Sequence, residues 1–304
     1  MMNFDEFTEN VIQDIRSRAE GELHILKKNV VKNNNVRVTG IAVRAGDENS
    51  GPCVYLESFF QEYKSGGMKF CEIVEELYRL LMKHRDDMQG VDVSAFLNWE
   101  AIRRNVYAKL INGEQNREQL GEMPHRMFLD LAVVYYAVIR DSGKEEVGTV
   151  LVHNEHMEQW GQEEEILYQT AMGNMRADGE ADFAALETVI KRNSLDFDLL
   201  LRDKERKKDT GMYILTNRCK RFGAAEMLDK NTLRMIAGQV GDGFIVLPSS
   251  VHETIVLPPK DGSEYKTLAE MVRDINDTEV DADERLSYHV YVYSRDEEML
   301  KIVA

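Results

Sequence analysis

Residues 212–259 read MYILTNRCKRFGAAEMLDKNTLRMIAGQVGDGFIVLPSSVHETIVLPP. Tyr213–Leu215 is short and apolar, as a strand would be. Leu233, Ile236, Ala237 and Val240 recur at helical spacing, with Asp229 placed to cap the helix and Gly241 to stop it. Phe244–Leu247 and Thr254–Leu257 are apolar and rich in β-branched residues, which predicts two strands hinged at Leu247-Pro248-Ser249-Ser250. A strand, a helix and then two strands in direct succession lack the alternation of a parallel βαβ sheet. The pattern predicts an α+β fold of mixed, largely antiparallel sheets with packed helices.

Working outward, Leu268, Met271, Val272 and Ile275 form a helix face, and Leu286, Tyr288, Val290 and Val292 alternate as in a half-buried strand. A last strand covers 299–303. These elements make a C-terminal sheet module, 210–304. The charged segment RDKERKKD (202–209) marks a junction, with a boundary near 153 as the alternative. The N-terminal module, 1–200, makes the second of two α/β modules.

Within it, Phe4, Phe7, Val11, Ile12 and Ile15 predict a helix over 3–20. Val36, Val38, Ile41 and Val43 predict a strand or a strand pair broken near Gly40, and Asp47–Pro52 a turn before a strand at Cys53–Tyr55. Phe59, Phe60 and Tyr63 precede a helix stop at Gly66-Gly67. Apolar stripes follow over 68–85 and 99–113. Leu131–Arg140 and Val147–Val152 read as the arms of a hairpin turning at Asp141-Ser142-Gly143, and helices are predicted over 155–160, 163–176 and 182–192.

The net charge of −16 disfavours general nucleic-acid or anionic-membrane binding, since both surfaces reward Lys and Arg. It fits a soluble protein, or one whose partner is basic. Three widely spaced cysteines, Cys53, Cys71 and Cys219, offer neither a disulfide framework nor a thiolate metal site. The acidic N-terminus MMNFDEFTEN does not read as a secretion signal, and no apolar run approaches a membrane span, so a cytoplasmic location is expected.

The segments KLINGEQNREQL (109–120), VLVHNEHMEQWGQEEEILYQ (150–169), YILTNR (213–218) and VLPSSVHETIVLPP (246–259) resemble domain of unknown function 5688, a family of Firmicutes proteins. The pattern of 150–161 and the C-terminal part are more distantly similar to domain of unknown function 1444. The resemblance spans about 35–295 and implies a bacterial, cytoplasmic protein. It brings no activity and no catalytic residue.

The candidate chemistry is sparse. His153 and His156, three apart with Glu155 between them, have the spacing of two zinc ligands on one helix face. No third ligand accompanies them, and the blander reading makes Asn154 the cap of a helix beginning at Glu155. His252-Glu253 opens like a zinc-protease motif but lacks the second histidine. Asp274–Thr278 begins like a calcium loop but lacks its glycine and its final glutamate. Gly238, Gly241 and Gly243 lie after a helix and before a strand, the reverse of a dinucleotide loop. Asn112, Glu114 and Asn116 read as helix-terminating residues.

Ser249, Ser250, His252 and Glu253 are the remaining catalytic candidates. In an extended chain Ser250 and His252 share a face that Glu253 does not, so the set predicts a turn with serine hydroxyls bonded to nearby backbone. The sequence thus assigns no catalytic residue, no cofactor and no metal. The leading expectation is a non-enzymatic protein that binds another macromolecule, foremost a protein, which the acid-rich belt of 155–188 (nine acids, one base) would make basic. The alternatives are a hydrolase using Ser249 or Ser250 with His252 and Glu253, and an acidic decoy of a nucleic-acid-binding protein from a mobile element.

Overall fold

The computed structural model describes residues 1–19, 23–45, 53–88, 96–139, 148–193 and 211–304. The chain forms two compact units. The first joins Met1–Val93 to Ile139–Gly148, and the second joins Ser94–Val138 to Thr149–Ala304. The fold is α+β with antiparallel sheets in both.

In the first unit, helix α1 (Phe4–Arg18) starts at Asn3, whose side chain accepts the Glu6 N–H while Glu6 accepts the Asn3 N–H. This reciprocal cap satisfies two amides that the helix cannot satisfy itself. Strands β1 (Leu23–Val31), β2 (Arg37–Ala45) and β3 (Cys53–Tyr55) form an antiparallel sheet in that order. Helices α2 (Glu57–Ser65) and α3 (Phe70–Met88) complete the unit. Phe7, Val11 and Ile15 of α1 meet Ile41 and Val43 of β2 and Ile73, Leu77 and Leu81 of α3 in one core. Of the two readings of residues 36–43, a single strand is the one formed: β2 runs through Gly40 unbroken, and the turn that pairs it with β1 is at Asn33–Asn35. Asn34 and Asn35 turn the chain with φ of 59° and 57°, a conformation asparagine tolerates better than most residues. Gly40 instead sits inside β2 because a Cβ there would run into Cys53 Sγ on β3. The predicted turn at 47–52 lies outside the described residues.

The second unit holds two sheets. Strands β4 (Val106–Asn112), β6 (Leu131–Ile139) and β5 (His125–Phe128) lie in that order, with β7 (Gly148–Leu151) also paired to β6. The larger sheet runs β13-β12-β10-β11-β9-β8, built from Met299–Ile302, Tyr291–Ser294, Ile245–Leu247, Thr254–Leu257, Tyr213–Thr216 and Asp182–Ala185. It therefore draws on chain from both sides of 202–209, a segment outside the described residues. Short helices α4 (Trp99–Ile102) and α5 (Arg117–Leu120) flank β4, and α6 (Asn154–Trp160), α7 (Glu164–Ala177) and α8 (Leu186–Asn193) follow β7 and β8. Helices α9 (Lys230–Val240) and α10 (Tyr265–Glu279) belong to the C-terminal stretch. Leu268 and Val272 of α10 pack on Ile245, Leu247 and Leu257 of the large sheet.

Three helix or strand expectations are corrected here. The stripe over 99–113 is α4 followed by β4, because β4 is buried on both faces and so shows no period of its own. The predicted helix over 182–192 begins as strand β8, paired with β9. The predicted strand from Leu286 is ordered instead by the loop before β11: Leu286 N–H donates to Ser249 O and Ser287 N–H to Pro248 O, and β12 begins only at Tyr291. Asp274–Thr278 lies within α10, so it is not a loop. Among the described residues no helix is long and apolar enough to cross a membrane.

Ile236 on α9 is fully buried and Met235 half-buried. Ile236→Ala should therefore cost about 2–4 kcal/mol, and Met235→Ala distinctly less, through lost transfer energy and the cavity left behind. Denaturant midpoints of the two variants check the ranking.

Candidate functional site

The second unit contains a pocket of about 330 Å³ between the end of α7, the turn after it, the segment Gly223–Leu228 and the start of α9. Helix α7 lies along β4 with Leu167, Ala171 and Met172 buried, and its last turn brings Met175 and Arg176 to the pocket. Its position is fixed at the other end, where Arg126 of β5 donates to both oxygens of Glu164 and to Glu165, with its guanidinium over Tyr168. Tyr135 also donates to Glu164. Two acids of the belt read as a charged surface are thus held by a paired arginine.

The opposite wall is a 3-10 segment pressed close to its neighbours. At Gly223 a Cβ would lie 2.5 Å from the Asn217 amide nitrogen and 2.7 Å from His252 O, so only glycine lets the backbone approach this far. The segment then carries Ala224, Ala225, Glu226 and Met227 inward. Glu226 lines the pocket, is 8% exposed, and has no hydrogen-bond donor among the described residues. Asp229 beside it is engaged twice: it caps α9 by accepting the Thr232 N–H, and it pairs with Arg176 at 2.9 Å. Burial first, and then the charges of Asp229 and Asp178, push the Glu226 carboxyl up to about 7 from an ordinary 4.5.

The serine–histidine stretch is occupied otherwise. The Ser250 hydroxyl accepts the His252 backbone N–H at 3.1 Å, and Ser250 bridges to Arg285. The His252 ring stacks on Phe222, its Nδ1 accepts the Phe222 N–H at 3.2 Å, and its Nε2 lies 3.4 Å from Glu284. Ser249 O takes the Leu286 N–H. The structure brings Ser250 and His252 together through the backbone and leaves Ser249 and Glu253 outside that contact.

His153 precedes α6 as its N-cap, and His156 Nδ1 accepts the His153 N–H at 2.9 Å. His156 packs between Phe96 and Trp160, and burial, then His153, lowers its pKa. Asn154 is inside the helix rather than its cap, and its side chain donates to Gly121 O. Among the described residues no group of three or more His, Cys, Asp or Glu is placed to hold a metal ion. Asn112 ends a strand, not a helix, and donates to Leu286 O, while Asn116 donates to Asn112 O.

Three features escaped the sequence reading. Glu226 was hidden as a single acid in the apolar run FGAAEML. Lys109, inside β4, lies 4.8 Å from the Phe222 ring centroid, and burial lowers its pKa to about 8. Its signal was a lysine inside the apolar run YAKLI. Asp130 accepts hydrogen bonds from Ser287 Oγ at 2.7 Å and from Tyr291 OH, and contacts His289 Nδ1 at 3.0 Å, a convergence across 157 or more residues that no local pattern announces.

The family model described as a family of unknown function (DUF5688) matches residues 4–295, and the chain belongs to that family. No curated protein and no solved structure matches it.

Two outcomes follow from this geometry. Between its unfolded value near 4.5 and its folded value near 7, Glu226 holds a proton that the unfolded chain has lost, so stability falls as pH rises through that window. Glu226→Gln removes this loss, and thermal melts should show it gaining about 2–3 kcal/mol on wild type between about pH 4.5 and pH 8. A fluorophosphonate probe should leave Ser249 and Ser250 unlabelled, because His252 meets the Ser250 hydroxyl through its backbone N–H while its ring accepts the Phe222 N–H. Intact-mass analysis reads this directly.

Proposed function

We propose that this chain is a cytoplasmic bacterial protein that works by binding another protein, with the outer edge of the six-stranded sheet as its docking strand and a basic, extended segment as its partner. The observation that carries this reading is β13. Among the described residues it ends the sheet and pairs with β12 alone, and Met299, Ile302 and the following Val303 are 49%, 41% and 39% exposed. An edge strand offers a row of backbone donors and acceptors to an added strand, and natural proteins usually cover or charge such edges. Here one lysine, Lys301, interrupts the apolar positions. The turn before it carries Asp296, Glu297 and Glu298, and the whole chain is acidic at −16, which favours a basic partner in encounter. The hydrolase alternative is less well supported, since Ser250 and His252 are engaged with backbone amides.

A photo-crosslinking residue at Met299 in the native host should capture a basic protein, and capture should weaken with added salt. With the photo-crosslinking residue moved to Val303, the double variant Met299→Lys, Ile302→Lys should reduce capture at least about tenfold while changing stability by no more than about 0.5 kcal/mol, as surface substitutions do. Capture unchanged by the double variant, or crosslinks only to a second copy of the chain, would sink the proposal.

A further inference from the structure

We propose that the pocket around Glu226 binds an organic cation, a primary ammonium or guanidinium group on a short alkyl stem. The inference does not depend on what β13 binds. Glu226 is the central observation. A carboxylate with 8% exposure and no donor is costly unless a partner arrives, and the pocket it lines is open to one. The remaining charges fix the sign of that partner. Glu180 and Asp229 share the lining with Glu226; among the described cations at the wall, Arg176 already pairs with Asp229 and the Arg218 guanidinium lies against Gly179.

The rest of the wall fixes its body. Met172, Met175 and Met235 present polarizable apolar surface suited to an alkyl stem. A volume of about 330 Å³ lies at the small end of ligand sites, room for a few methylenes and a charged head. A hard divalent ion would ask for several carboxylates about one point, and among the described residues no three His, Cys, Asp or Glu are grouped to hold a metal ion. An ammonium or guanidinium head instead gives Glu226 a charge-assisted hydrogen bond, the strong kind. Such a head can belong to a free amine or to a lysine or arginine side chain of another protein.

Cation binding requires the ionised carboxylate, and Glu226 gives up its proton only near neutrality. Binding is therefore coupled to proton release, and affinity rises with pH until about pH 7.

Calorimetry on the full chain, with n-butylammonium, n-butylguanidinium and N-acetyl-lysine methylamide as probes and 1-pentanol as the neutral control, tests this. Wild type should bind the cations, tightening about 30-fold between about pH 5.5 and pH 8 as one group with a pKa near 7 ionises. Glu226→Gln should weaken binding at least about tenfold and flatten the pH profile. Met235→Lys, which supplies an ammonium group from the wall itself, should abolish binding in a chain that still folds by circular dichroism. A tighter blocked lysine would assign the site to a partner's side chain, and a tighter free amine to a small molecule; both support the proposal. Pentanol binding as well as butylammonium, Glu226→Gln binding like wild type, or no cation bound at millimolar concentration by folded protein would overturn it.

Discussion

The carboxylate of Asp130 is the group on which the second unit depends. It lies in the turn between β5 and β6 and gathers Ser287, His289 and Tyr291 from the approach to β12. Each sheet satisfies its own backbone ladder, so neither needs the other for hydrogen bonds. Asp130 supplies the specific tie, and Asn112 adds a second where β4 ends, on Leu286 O. Burial first, with the Asp130 charge next, raises the Tyr291 pKa, so the phenol stays a donor throughout the physiological range. Polar contacts of this kind, part-buried at Asp130 and buried at Asn112, gain little net energy over water but cost more to break one-sidedly where they are dry. They set which arrangement of two sheets is native more than how stable it is.

With the sheets tied, the pocket walls are held by separate devices. Arg126 clamps the start of α7 through Glu164 and Glu165, and Asp229 joins the end of α7 to the start of α9 through Arg176. Gly223 lets the 3-10 segment sit against the Asn217 and His252 backbone. Phe222, with φ at 57°, holds a conformation unusual for an aromatic, and its ring is covered by His252 on one contact and Tyr136 on another. An uncompensated acid at Glu226 is tolerated because these neighbours secure the backbone that carries it.

Much of this was legible. Helix spacing located α1, α3, α9 and α10 because each has one apolar face and one wet face, and Asp229 and Gly241 marked the limits of α9. The antiparallel pairing of β10 with β11 followed from two apolar runs flanking Pro248. Where both faces are buried the periodicity vanishes, which is why β4 was merged with α4. β8 was misread because Asp182–Ala185 is short and its partner β9 lies beyond the segment 202–209. The candidate site was not legible at all. Glu226 is made unusual by Asp178, Asp229 and burial that only the fold assembles, whereas the residues that looked unusual in sequence, His252 and His156, turned out to accept backbone amides.

The three thioethers in the pocket wall give it a chemical liability. Met175 and Met235 are only half-buried. Conversion of either to its sulfoxide would replace a soft apolar contact with a strong, fixed dipole whose oxygen can only accept hydrogen bonds. Set beside Glu226, such an oxygen competes for the same donors and makes the ionised carboxylate costlier still. The pocket's charge state is thereby exposed to the oxidising conditions of its surroundings, and methionine sulfoxide reductases would be the route by which it is restored.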